Sequence, residues 1–320
     1  MPLAFRRRVA AAAALVAALS PGPAFAADIK IIAPASPGGG WDQTARTIQQ
    51  ALQEEKLAGS VQVENVTGAG GTIGLAQFAN RAKGDPHQLI VGGYVMVGAI
   101  IMNDAPVTLD AVTPLARLTG EYEAIVVAEN SSIRTMADVV AKLKADPGSV
   151  SWGGGSAGGA DHIAAGLIAK AVGVDPTKVN YIPFSGGGES LAAVLGGQTT
   201  VGVSGYGEFE AQVKAGKLRV LAISAPERVP EIDAPTLKES GVDVEVQNWR
   251  MVAGAPDLTP EGKAEILKTI EAMAKSKTWT DALKTKGWTD TYLAGDAFAA
   301  ELKEDIQKTH VILRDIGLAE

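Results

Sequence analysis

From Asp28 onward, short runs of consecutive apolar residues alternate with longer stretches in which apolar positions recur every three or four residues. The first pattern suits a strand buried on both faces and the second a helix with one buried stripe. Their alternation predicts an α/β chain with largely parallel sheets. Residues 29–33 read as a strand, 36–40 as a loop, 43–56 as a helix with Ala45, Ile48 and Leu52 on one face, and 61–66 as a returning strand. A helix over 72–81 and a strand over 88–92 repeat the unit, and further strands are predicted at 124–128, 149–152, 179–182, 200–204 and 218–223. Thr135 and Asp138 have the spacing of a helix cap before 136–145. After Thr259 the chain turns mostly helical. Thr259-Pro260 starts one helix, with Ile266, Leu267, Ile270, Met273 and Ala274 as its stripe, and a last helix runs over about 296–314.

The first residues have a different pattern. Arg6, Arg7 and Arg8 precede an apolar run over 9–19 and then Ala24-Phe25-Ala26, which reads as a secretory signal peptide over 1–26, cleaved near Ala26. Ordinary secretion accounts for the arginines better than the twin-arginine route. No later segment approaches the roughly 20 continuous apolar residues of a membrane helix. Cysteine is absent, so there is neither a disulfide framework nor a site for a lipid anchor, and a soluble periplasmic protein is expected. The 294 residues that follow the leader exceed one comfortable core and suggest two domains. They would form one lobe from 27–124 plus 227–320 and a second from 125–226.

Charge narrows the function. Without the leader arginines, 26 basic residues face 36 acidic ones, and the formal net charge falls from −7 to −10. Such a field disfavours nucleic acid, and an anionic ligand would have to be held by local donors. The scattered histidines and acids show no metal-ligand spacing, so neither metal nor cofactor is expected.

The 37 glycines cluster where strands end and helices begin, in four loops: Ser36-Pro37-Gly38-Gly39-Gly40-Trp41-Asp42, Gly68-Ala69-Gly70-Gly71-Thr72, Gly153 to Gly159, and Ser185-Gly186-Gly187-Gly188-Glu189. Each alone fits a tight turn. Four together, two in each half of the alternating region, suggest facing edges of backbone N–H groups and helix N-termini around one anion. No lysine of a phosphate loop follows the glycines, and Ile73 stands where a dinucleotide fingerprint needs its third glycine. Gly154-Gly155-Ser156-Ala157-Gly158 matches a hydrolase nucleophile elbow, which makes a secreted serine hydrolase using Ser156 the alternative reading. Of His87, His162 and His310, only His310 lies downstream as that order demands, and it falls in a helical segment. His162 fits either ligand contact or packing, Trp41 and Trp249 either cleft or core, and Arg250 either a bidentate carboxylate pair or a surface ion pair.

The four loops, with Glu64-Asn65, Trp152 to His162, Tyr181-Ile182-Pro183-Phe184, Gly196-Gly197-Gln198, Ala215-Gly216-Lys217-Leu218-Arg219 and Asn248-Trp249-Arg250, resemble the periplasmic receptors of tripartite tricarboxylate transporters, including the Bug group. The similarity covers essentially the whole chain after the leader. It implies a two-lobed periplasmic-binding-protein fold (type II, Venus-flytrap) that performs no catalysis, with a small organic carboxylate in the cleft and a two-component membrane permease as the recipient. A ligand-presenting subunit of a sensor kinase would look the same. The ligand is expected to meet Ser36, Gly38, Gly39, Gly40, Trp41, Asn65, Gly70, Gly71 and Thr72 from the first lobe. The second lobe would add Gly155, Ser156, Ala157, His162, Ser185, Gly186, Gly187 and Ser204, with Arg250 beside them. A monomer is expected. Many Bug receptors carry tyrosine, lysine and proline at Phe184, Ser185 and Glu189, and an Asp-Asn pair at Ser204-Gly205. The triple-glycine forms here are more similar to the tricarboxylate branch. Without an acid at Ser204, the resemblance points to citrate or another di- or tricarboxylate, with an aromatic carboxylate as the other option.

Overall fold

The computed structural model describes residues 27–320, so the expected signal peptide lies outside the described residues. Two mixed sheets share one long strand. In the first sheet β1 (Ile29–Ala33) pairs in parallel with β2 (Val61–Asn65) and β3 (Gln88–Gly93), and β3 runs antiparallel to β9 (Gln247–Gly254). In the second sheet β5 (Ser151–Gly154) pairs in parallel with β6 (Asn180–Pro183) and β7 (Val201–Gly205). The shared strand is β4 (Thr113–Ala128). Its first part, through Tyr122, lies antiparallel to β9 and to β10 (Thr289–Ala294), whereas from Glu123 it pairs with β7 and β8 (Leu218–Ile223). Each sheet thus has a parallel half built from β-helix-β units and an antiparallel strand shared across the junction, the two-lobed α/β arrangement expected.

Helices cover both sheets. On the first sheet lie α1 (Gly40–Glu54), α2 (Thr72–Arg81), α3 (Tyr94–Met102), α8 (Pro260–Ala274), α9 (Lys277–Lys286) and α10 (Gly295–Asp315). On the second lie α4 (Met136–Ala145), α5 (Ala160–Ala171), α6 (Gly187–Leu195) and α7 (Tyr206–Lys214). The expected cap at α4 is present as a complete box, in which the Thr135 side chain accepts from the Asp138 amide and Asp138 accepts from the Thr135 amide. The core is continuous beneath the first sheet and α5, with Trp152 and Trp279 fully buried. A smaller cluster around Phe209 and Ile223 includes Ile232 and Ala234 of the return segment.

β9 and α9 are not among the elements read from the sequence, and three further departures are instructive. α3 is apolar on almost every side, because it is packed between β9, α10 and the second lobe, so it has no stripe to betray its period. β4 begins eleven residues before the strand read at 124–128, with register irregularities against β9 between Pro114 and Ala116 and between Arg117 and Thr119. β10 interrupts the helical C-terminal third as a half-buried strand against β4.

Candidate functional site

Six helices start where a strand ends on the crevice between the sheets, and all six have glycine at the N-cap: Gly39 before α1, Gly71 before α2, Gly93 before α3, Gly159 before α5, Gly186 before α6 and Gly205 before α7. No side chain caps any of them. Away from the crevice, α4, α8 and α9 are capped by Thr135, Thr259 and Ser276. The first-turn amides facing the crevice are therefore left for another acceptor, and the dipoles behind them favour an anion.

All six junctions contribute to one cavity of about 370 Å³. Thirteen of the expected ligand contacts line it: Gly39, Gly40, Trp41, Gly70, Gly71, Gly155, Ser156, Ala157, Ser185, Gly186, Gly187, Ser204 and Arg250. The two lobes approach closely around it. A Cβ on Gly39 would lie 4.0 Å from the Gly186 Cα, and one on Gly70 3.5 Å from the Ser156 Cβ.

Five expected contacts do not line the cavity, and each is occupied in shaping a loop. The Ser36 carbonyl accepts from the Gly39 amide, and the Gly38 amide donates to Asp42 Oδ2 at 2.8 Å. Asn65 donates to the Ala35 carbonyl and to Asp42 Oδ1, tying the first loop to β2. The Thr72 hydroxyl donates back to the Ala69 carbonyl. His162 sits behind the third loop, where Nδ1 accepts from the Gly158 amide at 3.2 Å and the ring stacks on Tyr181 at 4.0 Å. Burial holds its pKa down at about 4, so the imidazole is neutral. Among the described residues no histidine borders the cavity beside Ser156. Trp249 packs on Tyr94 in the core, whereas Trp41 reaches the cavity beneath Gly71.

Arg250 lines the cavity, but its charge is already engaged. Nη2 contacts Glu121, Nη1 lies 3.5 Å from the Thr44 hydroxyl, and the guanidinium covers the Trp288 ring at 5.1 Å. The Trp288 indole N–H donates to Glu121 from behind at 3.2 Å. Burial lowers the Arg250 pKa to about 9, which leaves it cationic at neutral pH. It serves as the counter-ion of a buried acid rather than as a free fork for a ligand. Gly40 exists partly for this side chain, since a Cβ there would fall 2.2 Å from Arg250 Nη2.

The sequence reading missed the acids of the cavity floor. Glu121 and Glu123 are alternate residues on β4 and so face one side, on either side of the point where the strand changes sheets. Asp161 enters from the first turn of α5 and accepts from the Gly155 amide at 2.5 Å. Glu208 enters from the first turn of α7 and, with Asp161, lines the cavity. Burial and the neighbouring Asp161 and Glu208 push Glu123 well above the carboxylate range. Burial also raises Asp161, to about 6, against the Gly155 amide and the Glu123 hydrogen bond. Glu208 is pushed up to about 8 by burial and by Asp161, against the Ser204 hydroxyl and the Gly187 and Gly40 amides. Position 204 carries no acid, as the sequence shows, but an acid nevertheless stands beside Ser204 in Glu208. The acid enters one helical turn later, and a Cβ on Gly187 would fall 1.6 Å from its Oε2. Its position in the turn after Ser204-Gly205 was the available signal. Asn248, buried on β9 with no partner for Oδ1 among the described residues, is a further acceptor at this floor.

Comparison with known proteins agrees with this architecture. Residues 44–318 match the model of the tripartite tricarboxylate transporter family receptor. The protein BugT of Bordetella pertussis is 26% identical over 96% of this chain and 94% of its own length. MatC of Rhodopseudomonas palustris, solved with bound malate, superposes with a TM-score of 0.77 at 21% identity, covering 89% of this chain and 98% of its own. An R. palustris protein solved with adipate superposes with a TM-score of 0.83 at 19% identity, covering 91% and 98%.

Proposed function

The chain belongs to the tripartite tricarboxylate transporter receptor family, and from that premise we propose that it closes its two lobes around a small organic carboxylate in the periplasm and presents it to a two-component membrane permease. The observation that carries this reading is the set of six glycine-capped helix N-termini without capping side chains around one cavity. An acidic protein can hold an anion only where local donors outweigh its overall field, and these amides are such donors. The signal peptide and monomeric state belong to the same reading.

Within this class we favour a di- or tricarboxylate, citrate-like at the upper end of size. One carboxylate would take the amides around Gly70, Gly71, Ser156 and Ala157, and a second would reach toward Ser185 to Gly187 and Glu208. The lobes would comprise 27–124 and 125–226, with the second continuing past the expected return at 227 before the rest of the chain rejoins the first. The change of partners in β4 between Tyr122 and Glu123 supports the first boundary. The packing of Ile232 and Ala234 on the Phe209 cluster argues for a return crossing after them.

A thermal-shift screen over organic acids tests the function. At 100 times its dissociation constant a ligand adds about 2.7 kcal/mol of stability, a clear rise in melting temperature. The expected hits are di- and tricarboxylates, with amines and sugars inert. A screen in which no carboxylate stabilises the protein would overturn the receptor reading.

A further inference from the structure

Glu208 stands at the end of the cavity where the second lobe's helices converge, 8% exposed at its side chain, between the backbone at Gly40 of one lobe and Gly187 of the other. The groups around it come from every neighbouring element. β7 offers the Ser204 hydroxyl, α1 and α6 offer the Gly40 and Gly187 amides, and α6 also brings Glu189 to the same cavity, where it accepts from the Ser185 amide. α5 brings Asp161, and β4 brings Glu123 and Glu121. β9 brings a cation, Arg250, whose Nη2 is 3.9 Å from Glu208 Oε1 but in contact with Glu121, and Lys286 of α9 stands behind it over the Trp288 ring. Once Arg250 and Glu121 neutralise each other, Asp161 remains as a negative charge, and among the described residues no other cation lies within ion-pair distance of Glu208. An ionised Glu208 would then repel both Asp161 and any carboxylate that enters. A buried anion without a partner is the least favourable state open to it.

We propose that Glu208 meets the ligand as a neutral carboxylic acid and donates its proton in a hydrogen bond to a ligand carboxylate, so that the receptor takes up a proton as it binds the anion at alkaline pH. The proposal rests on the organic-acid receptor reading above and assigns Glu208 as a specificity-determining group within it. Burial and Asp161 already hold the Glu208 carboxyl up to about 8 in the protein without ligand, and a ligand carboxylate beside it raises it further. Below that value the donor is ready. Above it, a proton must first be supplied, and affinity falls with each further rise in pH.

The test measures affinity by calorimetry from pH 6.5 to 9. The probe is whichever of malate, adipate or citrate stabilises the protein most in the thermal screen. For wild type, binding is expected to be about tenfold weaker at pH 9 than at pH 6.5. Repeating the titration in buffers of different ionisation heat should show uptake approaching one proton at the upper end. Glu208→Gln keeps a donor of the same shape that cannot ionise. Whatever its affinity at pH 6.5, it should lose most of the pH dependence, so that its binding at pH 9 and at pH 6.5 differs by less than about threefold. Wild-type affinity that is flat across the range without proton uptake overturns the proposal, even if Glu208→Gln does not fold. A pH dependence of equal size in the two proteins overturns it as well, by placing the titration elsewhere. Failure of all three acids to bind at any pH overturns the underlying receptor reading, and the Glu208 assignment with it.

Discussion

Arg250→Met is expected to lower the free energy of unfolding by about 3–5 kcal/mol, because it leaves Glu121 buried without its counter-ion. Methionine replaces much of the stem's volume, so the loss is mainly electrostatic. Glu121 is 3% exposed at its side chain, and only the Trp288 indole would remain as a partner. Urea unfolding gives the value, and a second variant shows its origin. Arg250→Met combined with Glu121→Gln should recover most of the loss, since no charge is then stranded. A ligand-binding arginine held only by a surface pair would behave differently, with weakened binding and stability close to wild type. That outcome would contradict the buried pair described here.

Gly98→Ala is expected to abolish ligand binding, by more than about a hundredfold, while leaving the free protein as stable as wild type. Gly98 lies on α3 of the first lobe, facing the third glycine loop of the second. A Cβ there would fall 1.9 Å from the Gly158 carbonyl oxygen and 3.0 Å from its carbon. Both atoms are backbone, so no side chain can swing away, and relief requires the lobes to part. In the parted protein alanine favours the helix over glycine by about 1 kcal/mol, so stability should not suffer. Calorimetry with any acid that stabilises wild type provides the measurement. Wild-type affinity would mean that the contact between α3 and the Gly158 loop is not part of the ligand-bound state.

The contrast between these two positions shows how far local sequence reaches. The strand-loop-helix grammar at 29–54 and the cap at Thr135 are legible because each depends on residues within one or two turns. That the four glycine loops meet at one cavity is legible because glycines recur at strand-to-helix junctions in both halves of the alternating region. What escaped depends on residues distant in the chain. Arg250 is drawn to the cavity correctly, but Glu121, which neutralises it, lies on another strand. Glu208 and Asp161 look like ordinary helix-start acids until β4 brings Glu123 against them. Asn65, Thr72 and His162 stand on the elements that flank the glycine loops but face inward to the turns, a choice made by the hydrogen bonds they find there. Gly40 and Gly187 carry the same lesson, since each clears room for one of the protein's own charged side chains as well as bordering the cavity.

The central claim is that amides at glycine-capped helix ends on two lobes share one organic acid. A crystal structure with the acid that raises the melting temperature most tests it directly. A carboxylate within hydrogen-bonding distance of amides from both the Gly70-Gly71 loop and the Ser156-Ala157 loop is the predicted result. An acid bound outside this cavity, or held by one lobe alone, would contradict it.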